Sequence, residues 1–444
     1  MHYHSHPNSK LSLTAQAQSH LIAMHLPLLH HLVIPICLRT WLGHLMMQNN
    51  KNVPPKNFMK SWARKKCWLN DRHSIVSLNI IATRFNGQRI IWSMQQCIKR
   101  HLYPKINAEN KSLPHKPTAK ELAHAQAIVD DFIPFTHGKV ILIDRDAGQV
   151  VAVIEFIPIS ELTSTEKAEI NCITTFLHKW KKFVYPIAAG RGWGGRMWGV
   201  GWRKCIKALE LFGRYIKLRA ARLFGREYFQ LAIQSQLVSR ILGRMFKSMG
   251  NIPFKSNREL MEKHGIPSFA SGEFNNCLSK FDCAPHITFT TNGFYNQPHC
   301  DKGDASDYAF ALFVPVKTSD GTLADPSTEA GASGGRFVFP DYECYIAFQP
   351  QTVVKLLWTA NQCTHCTLPG FKPKGFTCMG MSLQITKKAM NICSAIKTGL
   401  IYLRNTYQEK QKVYFGGHRN YMGKPANMPI ILFQQVNYSL LASW

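Results

Sequence analysis

At 444 residues, 45% hydrophobic and 11% aromatic, the chain holds enough apolar material for two or three domains, which excludes wholesale disorder. Lys and Arg outnumber Asp and Glu 54 to 26, and the formal net charge of +28 points to a polyanion, most simply nucleic acid. The plainer alternative is an incidentally basic protein. Thirteen cysteines scattered from Cys37 to Cys393 do not make the dense framework of a small secreted domain, so reduced thiols are expected.

Residues 1–115 read as a basic, acid-poor extension. No Asp or Glu precedes Asp71, and Lys60, Arg64, Lys65 and Lys66 cluster. No secretory signal pattern opens it. "LIAMHLPLLHHLVIPICL" is oily, yet each of its histidines would need a partner in lipid, so no membrane span is expected.

Further on, "KVILIDRDAGQVVAVIEF" (139–156) sets two β-rich runs around a turn, a hairpin signal. Residues 160–180 read as a helix opened by Ser160 or Thr163. The Gly- and Trp-rich "AAGRGWGGRMWGVGW" (188–202) suggests a loop, and helical spacing is expected from Arg203 to about Lys247. Residues 179–226 carry thirteen Lys or Arg against one acid, Glu210. Arg203, Lys204, Lys207, Arg214, Lys217 and Arg219 fall at helix-compatible spacings, and Trp193, Trp198, Trp202 and Tyr215 are interleaved with the basic residues of 179–226. Cations neutralise phosphates and aromatic faces stack on bases, so this stretch is a candidate nucleic-acid surface. A helix with a solvated basic face and a buried aromatic face explains it equally.

From Phe281 to Thr386 the cadence turns to short strands between Gly, Pro and Asn: "PHITFTT", "DYAFALFVPV", "GRFVFP", "CYIAF", "TVVKLLW" and "FTCMGMSLQIT". That rhythm suits a sandwich or jelly roll. Within it, "YNQPHCDKGD" (295–304) places His299 and Asp301 two residues apart. Three readings compete: a turn with a chance histidine, half of a zinc site, and part of an iron site. Cys363 and Cys366 in "CTHC" have zinc spacing, but no second C-x-x-C pair exists. On a strand, residues i and i+2 share a face, so His299 and Asp301 point together while Cys300 points away. His365, just after "TVVKLLW", is the candidate third ligand of a two-His, one-carboxylate iron site.

"FTTNGFYNQPHCDKGDASDYAFALFVPV", "GGRFVFPDYECYIAF" and "CTHCTLPG" with "TCMGMSLQI" together resemble the Tet-like 2-oxoglutarate- and Fe(II)-dependent oxygenase domain of fungi, related to the TET/JBP DNA-base hydroxylases. The upstream hairpin and "GGRMWGVGWRKCIKALELFGRYIK" resemble that family's N-terminal part, so the likeness spans roughly 125–410. It implies an α+β fold: a double-stranded β-helix (jelly-roll) core with flanking helices and an N-terminal β-hairpin. The domain would run over 116–410, with a helical, basic part at 160–250, the jelly roll at 281–390 and a tail at 411–444. It implies iron on His299, Asp301 and His365, and 2-oxoglutarate as co-substrate. Tyr295 and Asn296 would line the pocket. Ser382 would contact the co-substrate, and Cys378 stands where the family's carboxylate-binding Arg is expected. The implied function is oxidation of the methyl group of 5-methylcytosine in DNA, with RNA an alternative substrate, by a monomeric, nuclear enzyme. The alternative function is a catalytically lapsed domain that binds nucleic acid without turnover.

Overall fold

"AFALFVPVK" is apolar at almost every position, and such a run is stable as a strand only when both its faces are covered. In the computed structural model it forms a strand buried on both sides, between a large sheet's helical covering and a second, smaller sheet. The structure describes residues 81–85, 87–93, 100–104, 116–187, 192–204, 207–324, 335–370 and 374–422. Most of the basic extension, including its oily stretch, and the tail beyond 422 lie outside them.

In chain order the strands are β1 (Ile81–Phe85), β2 (Gln88–Trp92), β3 (Ile133–Phe135), β4 (Lys139–Asp144), β5 (Gln149–Pro158), β6 (Pro186–Ile187), β7 (Gly192–Lys204) and β8 (Phe212–Arg214). They continue with β9 (His286–Asn296), β10 (Ala309–Lys317), β11 (Arg336–Phe339), β12 (Cys344–Ala347), β13 (Thr352–Trp358), β14 (Cys366–Thr367) and β15 (Phe376–Leu383). The large sheet has the order β1-β2-β4-β5-β13-β10-β15-β9-β7-β6, with β8 paired to β7, and is antiparallel except for β2 with β4. The small sheet has the order β14-β11-β12-β3. Two facing sheets flanked by helices make the α+β jelly roll expected from the sequence.

Alternation along β10 assigns its faces. Phe310, Leu312, Val314 and Val316 pack toward the helical core, whereas Ala309, Ala311 and Phe313 face the small sheet's Phe337, Phe339 and Ile346. The helices are α1 (Ala119–Asp130), α2 (Ser164–Trp180), α3 (Leu218–Leu223), α4 (Gly225–Met249), α5 (Asn251–His264), α6 (Lys387–Lys397) and α7 (His418–Met422), of which α2 and α4 supply most of the layer behind β9, β10 and β15. Helix α2 starts where its capping box puts it: Thr163 Oγ1 accepts from Glu166 N while Glu166 accepts from Thr163 N. No helix among the described residues is long and apolar enough to cross a membrane.

Two sequence expectations need correction. The Gly- and Trp-rich segment expected as a loop is the thirteen-residue strand β7. Its glycines make room rather than turns: a Cβ at Gly199 would lie 2.7 Å from the Tyr215 ring, and one at Gly194 would lie 2.0 Å from the Tyr295 ring. Gly195 has φ +66° at an irregular register with β9, where a side chain would be strained. The basic helix expected from Arg203 is instead a strand end, a turn and the short strand β8, with helix starting only at Leu218. Its 3.6-residue spacing was a coincidence of a strand–turn–strand sequence.

Candidate metal centre

The end of β9 supplies the first ligand group, and the approach to β14 supplies the last. His299 and His365 face each other in a single antiparallel bridge, exchanging N–H···O bonds of 3.0 and 2.9 Å, and so tie the large sheet to the small one. Asp301 is held by its own backbone N–H, which donates to Ala360 O at 2.8 Å. The run 297–301 is thus not the continuous strand its spacing suggested. The bridge and the Asp301 bond nevertheless leave the two side chains on one side. Cys300 turns the other way, its Sγ 3.6 Å from both Gln362 O and Thr364 Oγ1.

The three ligand-capable atoms lie within 4.8 Å of one another, the one such cluster among the described residues. His299 Nε2 is 3.6 Å and His365 Nε2 3.7 Å from the Asp301 carboxylate. Each ring's other nitrogen meets a backbone carbonyl: His299 Nδ1 to Gln297 O at 2.8 Å, His365 Nδ1 to Cys363 O at 3.0 Å. A carbonyl only accepts, so both Nδ1 atoms carry the proton. Both Nε2 atoms therefore remain to face Asp301, the arrangement a ligating histidine needs from its outer partner. The His365 ring is clamped between Phe337, stacked at 5.6 Å, and the edge of Trp358 at 5.6 Å. Two imidazoles and one carboxylate, preset and sharing one side, fit a divalent iron and leave its other positions to a co-substrate and oxygen. The zinc alternative finds no support among the described residues, because Cys363 and Cys366 join no ligand cluster. Cys366 is fully buried, and that burial pushes its thiol well above the usual range.

The cluster opens into a cavity of about 360 Å³ lined by Thr288, Thr290, Asn296, Ala311, Phe313, Phe337, Trp358, Gly380, Ser382 and Gln384, among others. Alternation along β9 puts His286, Thr288 and Thr290 on one face, and Ile287 and Phe289 in the helical core. That period-two signal in "HITFTT" could have picked out Thr288 and Thr290 from sequence. Space for the cavity comes from small residues: a Cβ at Gly380 would stand 2.9 Å from the Phe313 ring and 3.0 Å from Thr290 Oγ1. Thr288 Oγ1 and Ser382 Oγ are 2.7 Å apart. That pair holds two hydroxyl protons and uses one between its members, which leaves one to donate to an incoming anion.

Of the expected pocket residues, Asn296 and Ser382 line the cavity; Tyr295 does not, packing instead over Gly194 against the cluster beneath α1. Asn296 is also an anchor, its Oδ1 accepting from Thr367 N at 2.8 Å. Cys378 shares the strand face of Gly380 and Ser382 but lies outside the lining, opposite Pro315 of β10. Burial pushes its thiol up to about 12, so it is neutral and no substitute for a guanidinium. Among the described lining residues none is Lys or Arg. Two cations elsewhere in the chain are engaged: Arg336 pairs with Asp130 at 2.5 Å, and Lys387 donates to Lys302 O at 2.9 Å.

The expected nucleic-acid residues scatter. Arg214 is 6% exposed and donates to Ser271 O and Phe269 O at 2.7 and 2.9 Å, so it holds the core and cannot reach a phosphate. Trp198 and Trp202 are likewise buried, stacked on Phe289 and Phe212. Arg203 lies over Tyr215 and Lys207 over Tyr421, while Lys217 and the exposed Arg219 flank the start of α3.

A jelly roll with a His-Asp-His cluster between its two sheets defines the architecture of an iron oxygenase. Residues 163–370, just under half of the chain, match the family profile described as "Tet-like 2OG-Fe(II) oxygenase superfamily". No curated protein matches the chain. Among solved structures it is similar to NgTET1 in complex with 5mC DNA, at 13% identity, 62% of this chain, 93% of that one and a TM-score of 0.35. It is also similar to a Pseudomonas putida prolyl-4-hydroxylase (10%, 53%, 92%, 0.24). A third likeness is to a Trichoplax adhaerens prolyl hydroxylase in complex with a hypoxia inducible factor oxygen degradation domain peptide fragment (12%, 54%, 86%, 0.28). Likenesses this distant bear on neither substrate nor mechanism.

Proposed function

We propose that the chain oxidises a methyl group on a nucleic-acid base, 5-methylcytosine in DNA, with Fe(II) held by His299, Asp301 and His365. The observation that carries the reading is the orientation of both Nε2 atoms toward Asp301 at the wall of a mostly apolar cavity. The nucleic-acid part is supported by the net charge of +28. Bound together, Fe(II) and 2-oxoglutarate supply a two-electron oxidation of a C–H bond by O2, with the oxoacid leaving as succinate and CO2. The protein's part is to position and to exclude. Gln297 O and Cys363 O fix the imidazole tautomers, and Phe313, Phe337 and Trp358 keep water from the metal side of the cavity. A base must leave its stack to reach a metal at the wall of this cavity.

The free proton of the Thr288–Ser382 pair is the donor this cavity offers to the far carboxylate of the co-substrate. Ser382→Ala is expected to weaken 2-oxoglutarate roughly tenfold, the size of one charge-assisted hydrogen bond, with iron affinity unchanged. Titrating the anaerobic Fe(II) protein with 2-oxoglutarate measures this, and a change below twofold would rule the hydroxyl pair out as the anchor.

The lack of Lys or Arg among the described lining residues also favours one rival: a lapsed domain that binds nucleic acid without turnover. Nucleoside mass spectrometry separates the two. With Fe(II), 2-oxoglutarate and air, a duplex carrying 5-methylcytosine should yield hydroxymethylcytosine and one succinate per oxidation. Duplexes carrying methyladenine, and methylated RNA, should react at least tenfold more slowly. Binding of the duplex without succinate or oxidised base identifies the rival; product from another base reassigns the substrate.

A further inference from the structure

Three of the six exposed large apolar side chains among the described residues fall on one patch: Tyr185 at 64%, Leu223 at 71% and Phe224 at 42% exposed. The patch is held together from two segments. Lys217 N donates to Phe183 O at 2.6 Å and Lys217 Nζ to Lys181 O at 3.3 Å, so the start of α3 is tied to the turn that follows α2. Cations lie over both rings, Lys217 Nζ 5.1 Å from the Tyr185 centroid and Lys182 Nζ 3.4 Å from that of Phe224. Exposed Arg219, Arg222 and Arg226 continue the positive charge along α3 and into α4. Glu227, the acid at this place, is paired with Lys182 at 2.5 Å.

The position matters as much as the composition. Tyr185 is two residues before Ile187, which lines the cavity and pairs with Met197, also a lining residue. Two residues of extended chain span about 7 Å, so the exposed ring stands beside the cavity's rim. Water-exposed rings with cations on their flanks match a ligand that offers flat faces and regularly spaced negative charge. Paired bases hide their faces inside the duplex, whereas an unpaired strand presents them.

We propose that Tyr185 and Phe224, flanked by Lys182 and Lys217, form a stacking platform for unpaired nucleotides of a strand whose target base enters the cavity. The inference rests on the nucleic-acid reading above and names the surface that would serve it. The platform grips unpaired bases next to the target one, while Arg219, Arg222 and Arg226 neutralise the phosphates.

Fluorescence anisotropy with the full chain tests it, using a labelled single-stranded oligonucleotide, the same strand with abasic sites, and vesicles containing phosphatidylserine. The double variant Tyr185→Ala, Phe224→Ala removes exposed rings and should keep the wild-type melting curve and 2-oxoglutarate binding. Its affinity for the intact strand is expected to fall at least tenfold, and its affinity for the abasic strand less than twofold. Lys217→Glu should weaken both strands and lower the salt dependence. Equal binding of the intact strand by wild type and double variant would overturn the platform while leaving the nucleic-acid reading standing. Equal losses on the intact and abasic strands would overturn stacking as the platform's role. Wild-type binding to vesicles with none to either strand would overturn the platform and make the patch a membrane contact.

Discussion

Replacing Asp301 with Asn is expected to lower Fe(II) affinity by more than the 10–100-fold typical of losing an outer partner of a metal site, with little change in melting temperature. Asp301 is the one carboxylate of the cluster, and its backbone N–H, not its side chain, bonds Ala360 O. The amide keeps the shape and removes the charge, so the fold has no reason to fail. His365→Ala should abolish iron retention too, but it also empties the slot between Phe337 and Trp358, and a folding cost is expected beside the loss of metal. Running the two variants side by side through anaerobic Fe(II) titration and thermal melts separates ligation from packing. Wild-type iron affinity in both would mean that the ligand set is wrong.

The second large effect is on acid stability. His286, at the start of β9, is buried, and burial lowers its pKa from 6.5 to about 4. In the unfolded chain the ring takes its proton near pH 6.5, while the folded protein resists it until about pH 4. Between those values the unfolded state binds more protons, so stability falls as pH drops below 6.5 and the loss levels off below 4. For this one group the loss at pH 5 relative to pH 7.5 is about 2 kcal/mol. His418 acts in the same direction: burial first, then the neighbouring Arg214 charge, hold its pKa well below the ordinary value. Urea unfolding at pH 7.5 and pH 5 should show the drop, and His286→Asn should remove about 2 kcal/mol of it. An identical pH response in the variant would show that His286 is not buried neutral.

The sequence carried the strands and most of the metal cluster for a common reason: both are short-range patterns. Each of the six strand-like runs between residues 285 and 386 became a strand, because period-two alternation and Gly or Pro punctuation act locally. His299 and Asp301 share a side, as their spacing suggested, and His365 meets them. What the spacing hid is how they meet, since the isolated His299–His365 bridge pairs a residue just past β9 with one just before β14. Non-local contacts also explain the failures. Nothing within "GWGGRMWGVGWRK" says that Tyr215 and Tyr295 will lie against its glycines, so a strand read as a loop. Arg214 looked like one more surface cation until Ser271 O and Phe269 O, more than fifty residues away, enclosed it. Cys378 was placed on the right face of β15 but beyond the end of the cavity, a matter of where the neighbouring strands stop.

The central claim is that His299, Asp301 and His365 make a site that takes iron and oxoacid together. The most direct measurement is the visible charge-transfer absorption of the purified protein under nitrogen, with one equivalent of Fe(II) and increasing 2-oxoglutarate. A band is expected that saturates with 2-oxoglutarate, is missing in Asp301→Asn, and is lost with formation of succinate when air is admitted. No band and no succinate at millimolar 2-oxoglutarate, in a protein shown to be folded, would contradict it.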